Sequence, residues 1–321
     1  MSYMSKHKII IDTDPGIDDA MAIHFAFAHP DIEVLGLTTV FGNVHALTAT
    51  RNALALVGMA SACATAVAHG ADAPLVLPLN PPADYVHGAE GFGDVPAAHP
   101  KAEPDSRPAA TFICDSINQN PGEVTLCAVA PLTNLALALR HDPQIVERVR
   151  QVVIMGGAVD TRGNVSEWAE ANIWGDPHAA DEVFAAPWPI TLVGLDVTEK
   201  VHCTPEDFDS LAASSPVIGG FLNEAVQFYF GFHRQRHDVD ACFLHDPSAV
   251  IAITDPDMFA REAACLRVVC EGARVGQIIR CTSETRRAAE VCLGVDQGRV
   301  RKLFLSTLKN ADAVMAERKN A

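Results

Sequence analysis

The chain has 321 residues, 49% of them hydrophobic and 20% charged, with a net charge of -16. That length and composition enclose a large core and exclude a disordered chain. The acidity argues against a nucleic-acid polymer as partner, which needs a positive footprint, and leaves a small neutral ligand open.

Nine cysteines include no Cys-x-x-Cys pair. Cys127 and Cys270 stand in apolar runs and read as small core residues, which fits a reducing cytosol and a cytoplasmic protein. Residues 1–8 lack the apolar stretch of a signal peptide, and no run approaches the roughly 18 apolar residues of a membrane span. With no linker-like segment or internal repeat, one domain over residues 1–321 is expected.

Ile9-Ile10-Ile11 reads as a short buried strand, Pro15-Gly16 as a tight turn, and Ala20–Ala28 as a helix. Asp12, Asp14, Asp18 and Asp19 crowd that strand-to-helix turn. Two carboxylates about 5 Å apart repel by roughly 3 kcal/mol at an effective dielectric near 20. One aspartate is explained as a helix cap, but four call for a hard divalent cation, and all-oxygen ligation suits Ca²⁺ or Mg²⁺ better than Zn²⁺. Ile32–Val40 is a second strand, ending at Asn43 before a helix from His45 to Met59. Ala66–His69 is a third strand. Residues 72–108 are irregular and rich in Pro and Gly, and His87 lies there in a stretch suited to a mobile lid. A helix over Ala109–Asn120 precedes a strand over Val124–Val129, and Thr133 reads as the cap of the helix to Arg140.

Gln151–Met155 is a strand followed by Gly156-Gly157, and residues 162–172 are too interrupted for a regular element. Asp176-Pro177 opens the next helix, and Pro189–Gly194 is a strand. Helical periodicity returns over 217–236, where Phe228, Tyr229, Phe230 and Phe232 read as core. His233 and His237, at i and i+4, share a face of that helix. His245-Asp246-Pro247 reads as a helix start with Asp246 as cap and Pro247 in the first position. Strands are expected near 263–270, 276–280 and 288–293, and a C-terminal helix from about Asp296. Arg286 and Arg287 read as solvated. Polar groups repeatedly fall at the carboxyl ends of strands, which implies an α/β fold: an open, mostly parallel, Rossmann-like sheet with helices on both faces and the active site at those strand ends.

The word Asp12-Thr13-Asp14-Pro15-Gly16-Ile17-Asp18-Asp19-Ala20 resembles the N-terminal signature of the nucleoside hydrolases of the inosine-uridine-preferring type. Pro131-Leu132-Thr133-Asn134 and His245-Asp246-Pro247-Ser248-Ala249 are similar to later words of that family and occur in family order. The resemblance implies hydrolysis of the N-glycosidic bond of ribonucleosides with Ca²⁺ as cofactor, a nucleoside as small-molecule partner, and a homodimer or homotetramer. It implies Asp14, Asp19, Asp246 and the Thr133 carbonyl as metal ligands, with Asp14 also taking a proton from water. Asp18, Asn43, Glu170 and Asn172 would hold the ribose hydroxyls, Asn164 the 5′ end, and Met155 would pack near the sugar. His87, His233 and His237 would contact the base, and His245 would protonate it. The family's usual aromatic between the Glu and Asn is here Ala171. Two alternatives are a haloacid-dehalogenase-type phosphatase, which shares Asp12-Thr13-Asp14 but not Gly16 two residues on, and a nucleoside-binding protein without catalysis.

Overall fold

The computed structural model describes residues 6–97, 99–283 and 285–320. Its strands in chain order are β1 (His7–Thr13), β2 (Ile32–Thr39), β3 (Ala66–His69), β4 (Val124–Ala128), β5 (Gln151–Met155), β6 (Ile190–Val193), β7 (His202–Cys203), β8 (Cys242–Phe243), β9 (Phe259–Ala264), β10 (Leu266–Val268), β11 (Ile278–Arg280) and β12 (Ala289–Val295). Ile9, Ile10 and Ile11 are wholly buried because β1 is covered on both faces. Side chains alternate across a strand, so Ile9 and Ile11 join one core cluster and Ile10 the other. The first core packs helices Ile17–Ala28, Ala46–Met59, Ile218–His237, His245–Thr254 and Gln297–Leu308. Ala109–Gln119, Thr133–His141 and Pro177–Ala185 cover the other face. Each isoleucine so buried contributes about 1.5–3 kcal/mol.

The main sheet runs β3-β2-β1-β4-β5-β6-β12-β9, parallel throughout except for the antiparallel pair β12/β9. From β1 the chain steps outward to β3, then returns to β4 beside β1. Strand order reverses there, and a reversal opens a crevice beyond the carboxyl ends of the strands. No helix among the described residues is long and apolar enough to cross a membrane.

Several expectations need correction. The strand expected over 263–270 is two: β9 ends at Ala264 to pair with β12, and after Cys265 the chain turns into β10, which pairs with β11. The expected C-terminal helix is also two, Gln297–Leu308 and Ala311–Lys319. Asp246 is not a cap, because the helix already begins at His245 with Leu244 as its cap residue; Thr133 likewise is the first helical residue after Leu132. Residues 162–172 lead into a short helix, Ala171–Gly175. Helix Pro205–Ser214 was unforeseen, although Thr204, Pro205 and Asp207 spell a capping box with proline in the first turn. Arg286 is half-buried rather than solvated, since it grips Asp181 at 2.7 and 2.9 Å. Cys127 is core as expected, whereas Cys270 is only half-buried.

Candidate active site

The first turn orders its own carboxylates. Asp19, in the first turn of helix Ile17–Ala28, reaches back to accept the Gly16 amide at 2.9 Å and the Asp14 amide at 3.2 Å, and it also accepts the Thr13 hydroxyl. A carboxylate at a helix N-terminus is favoured by the exposed amides and the helix dipole. Asp14 is oriented from β2's side: its Oδ2 accepts the Asn43 amide at 2.6 Å, and its Oδ1 accepts Asn43 Nδ2 at 3.3 Å. The same Nδ2 donates to Asp19 at 3.0 Å. Asn43 is therefore the clamp between the first two strand ends. Asp12 points the other way, accepting Thr38 at 2.5 Å and Asn134 at 2.7 Å, and burial pushes it up to about 7.

Asp246 arrives from the far end of the chain. Oxygens of Asp18, Asp19 and Asp246 lie within 4.8 Å of one another. Burial first, then Asp18, Asp19 and Asp14, hold Asp246 well above the usual carboxylate range. Burial and then Asp19 do the same for Asp14, while burial raises Asp18 to about 6. Asp18 Oδ1 is buried with no hydrogen-bond partner among the described residues. Among the described residues, the one ion-pairing group near it is His87, 3.8 Å away. That contact is not an ion pair: His87 Nδ1 accepts the Ile17 amide at 3.2 Å, and burial lowers the ring to about 4, so its proton sits on Nε2. A buried cluster of carboxylates with an unpartnered oxygen and no cationic neighbour fits a hard divalent cation. The Thr133 hydroxyl is committed to Asp176 at 2.8 Å, so what Thr133 can offer is its backbone carbonyl.

The opposite wall follows β5. Glu170 caps helix Ala171–Gly175, its carboxylate accepting the amides of Asn172 at 2.9 Å, Ile173 at 3.2 Å and Gly157 at 2.7 Å. Asn172 Nδ2 donates to the carbonyls of Val129 at 3.1 Å and Met155 at 3.2 Å. Two carbonyl acceptors fix the sense of the amide, so Asn172 turns its amide oxygen to the cavity. Asn164, on the exposed rim, accepts the Ala171 amide at 3.0 Å. The cavity measures about 180 Å³, and Asp14, Asp18, Asn43, Met155, Glu170 and Asn172 all line it.

Histidines and aromatics form the remaining side. His87 ends a single helical turn, Asp84–His87, and lies 5.6 Å from the Tyr229 ring. His233 and His237 stand one turn apart, 5.5 Å between rings, with Tyr229 one turn before them. His233 is buried with neither ring nitrogen partnered among the described residues, and burial, then His245, lowers it to about 3. His245 Nδ1 lies 2.8 Å from the hydroxyl of Thr198, which closes the helical turn Leu195–Thr198 after β6. Burial, then His87, lowers His245 to about 3, so the ring is neutral at pH 7.

The sequence model for inosine-uridine preferring nucleoside hydrolases matches residues 9–302. The chain belongs to that family. Uridine nucleosidase 1 of Arabidopsis thaliana is 42% identical over 277 residues, which is 86% of this chain and 82% of the relative. A solved plant nucleoside hydrolase superposes with a TM-score of 0.91 at 38% identity, covering 94% of this chain and 99% of that one. A purine-preferring ribonucleoside hydrolase from Gardnerella vaginalis gives 0.91 at 30% identity, over 95% and 99%. The chain is thus a hydrolase acting on N-glycosyl compounds, and the phosphatase alternative falls away.

In this nucleoside hydrolase every sequence-expected substrate residue lines this same cavity: Asp18, Asn43, His87, Met155, Asn164, Glu170, Asn172, His233, His237 and Asp246. Asp14 and His245 line it too. Of the expected metal residues, Asp19 and Asp246 fall in the acidic trio; the third member is Asp18, with Asp14 beside it. His87 is buried, not a solvated loop residue, and its loop is pinned by Asn52 Nδ2 donating to Glu90 O at 2.8 Å. Tyr229 and Phe232, read as core, line the cavity, whereas Phe230 is core. Sequence reasoning also missed Thr198, Asp176 and Asn134. The i, i+4, i+8 spacing of Tyr229, His233 and His237 was the available signal for Tyr229; Asp176 was read only as a helix start and Asn134 only within Pro131-Leu132-Thr133-Asn134, and nothing local marks Thr198.

Proposed function

We propose that this nucleoside hydrolase cleaves ribonucleosides to free base and ribose around one Ca²⁺, with uridine foremost among its substrates. The observation that carries it is the convergence of Asp18, Asp19 and Asp246 beneath a cavity walled by amides and a carboxylate. The uridine nucleosidase at 42% identity supports the choice of base. Asp14, Asp19, Asp246 and the Thr133 carbonyl would hold the cation, with Asp18 within the same reach. Bound there, a hard divalent cation offsets the carboxylate charge and lowers the pKa of a water in the cavity.

Asp14, held by both nitrogens of Asn43, accepts the proton of the attacking water. Burial and Asp19 raise its affinity for a proton, which suits it to that role. Asp18, Asn43, Glu170 and Asn172 hold the ribose hydroxyls and favour the flattened, cationic sugar of the transition state. Asn164 takes the 5′ end, and Met155 packs against the ring. His87, His233 and His237 face the base. His245 serves as a neutral donor: with Nδ1 turned to Thr198, its Nε2 presents a hydrogen to the departing base. Base release from uridine, cytidine, inosine and adenosine, with Ca²⁺ and with EGTA, tests this reading. Uridine turnover that EGTA abolishes and Ca²⁺ restores is the expected result; a rate indifferent to EGTA would remove the metal from the mechanism.

A further inference from the structure

The hairpin β10/β11 carries a second piece of chemistry away from the cavity. Its register pairs Leu266 with Arg280, so the next step outward places Cys265 opposite Cys281, joined by a backbone bond of 2.8 Å from the Cys281 amide to the Cys265 carbonyl. The Val269 amide bonds the Gln277 carbonyl at 2.9 Å, four residues further along in the same phase, which makes 265/281 a hydrogen-bonded pair. Such pairs hold their Cα atoms about 5.5 Å apart. A disulfide needs roughly 4.4–6.8 Å. Both cysteines are half-buried, and Cys281 lines a surface hollow of about 590 Å³ beside Arg267 and Arg286. Neither is near the acidic turn. Burial, then the Cys265 thiol, holds the Cys281 thiol up, which agrees with the two sulfurs being neighbours.

We propose that Cys265 and Cys281 form a reversible cross-strand disulfide by exchange with a low-molecular-weight disulfide. The Cys281 thiolate, facing the hollow, attacks one sulfur of the reagent and releases its other half as a thiol. The Cys265 thiol then loses its proton and displaces the second half. Two protein thiols and one small disulfide become one protein disulfide and two small thiols. The crosslink closes the open end of a hairpin that braces the sugar-side wall. Gln277 bridges Ala169, next to Glu170, and Ile278 packs so tightly on Gly157 that a Cβ there would stand 2.3 Å from its Cδ1. Asp181 and Arg286 clamp β10 to the helix Pro177–Ala185. Cys270, the other thiol lining the hollow, is turned to the Pro177 carbonyl at 3.5 Å and stays outside the pair.

Treating the whole protein with glutathione disulfide at mildly alkaline pH, blocking remaining thiols and mapping peptides tests the assignment. The expected result is a linked pair of peptides containing Cys265 and Cys281, loss of two hydrogens from the intact mass, and reversal by dithiothreitol. Cys265→Ser and Cys281→Ser should each abolish the link, and Cys270→Ser should keep it. The unfolding temperature of oxidised protein should exceed that of reduced protein by a few degrees, with no such difference in Cys281→Ser, because the crosslink constrains the unfolded chain. Both thiols remaining open to alkylation, or a link through Cys270, would overturn the assignment. A crosslink that leaves the unfolding temperature unchanged would overturn the brace.

Discussion

Gly42 shows how little latitude the acidic turn has. A Cβ at that position would stand 1.8 Å from Asp14 Oδ2, so only glycine lets the loop after β2 close on the carboxylate. Gly42→Ala should therefore lower kcat for uridine on the order of 10²-fold, the cost of moving a reacting group by about 1 Å; an unchanged kcat would show that Asp14 needs no such placement. His245→Ala should slow inosine hydrolysis by about 10²–10⁴-fold and slow a nucleoside with an activated leaving base far less. Equal losses on both would remove His245 as donor to the base. His24 offers a separate test away from the site. It is buried, neither ring nitrogen is partnered among the described residues, and burial lowers it to about 3 against an ordinary 6.5. Between those values the unfolded chain binds a proton that the folded chain refuses. Stability thus falls as pH drops below 6.5, by at most about 1.4 kcal/mol per pH unit for this group. His24→Leu should flatten the decline in unfolding free energy between pH 6.5 and 4, measured in urea. The sequence showed which residues gather at the turn. It could not show that Asp18, and not Asp14, completes the tightest trio, because spacing along a chain does not say which way a carboxylate points.

At the scale of elements, boundaries were readable where hydrophobic pattern and breaker agreed. β2, β3, β4 and β5 lie within a residue of the strands expected from the isoleucine, valine and leucine runs and their following turns. Pattern failed where one apolar run serves two sheets, as at Cys265 between β9 and β10. It failed again where an arginine such as Arg286 finds its partner 105 residues away on a helix. Glu170 exemplifies a residue whose local duty was hidden: besides facing the cavity, it satisfies three backbone amides at the start of helix Ala171–Gly175. Glu170→Ala should cost about 1–2 kcal/mol of stability through that lost cap. It should also raise KM, because Asn172 rides on the same helix. Glu170→Gln, which keeps one acceptor oxygen, should lose less stability in the same urea titration; equal losses would show that the cap is not what matters.

For the molecule as a whole, the acidic cluster sets a dependence on pH and cation. Burial and mutual repulsion raise Asp14 and Asp246 well above 3.8 in the folded chain, and Asp18 to about 6. A raised folded value means that the folded chain holds protons the unfolded chain has released. Stability from these groups is therefore present at low pH and is lost as pH climbs from 3.8 through the folded values. Asp12, at about 7, carries the loss above pH 6.5, where the neutral histidines no longer oppose it, so the unfolding temperature in EGTA should fall with rising pH there. Ca²⁺ should raise it more at pH 8 than at pH 6. A Ca²⁺ effect independent of pH would show that the cation does not sit on these carboxylates. The trio also draws on distant parts of the sequence, Asp18 and Asp19 from the first turn and Asp246 more than two hundred residues later. A ribosome that has delivered everything up to Leu244 has thus released a chain with its acidic turn still lacking a counterpart. An ion held by all three carboxylates would therefore be captured only after residue 246 of 321 has emerged, which would make its binding a late event of synthesis.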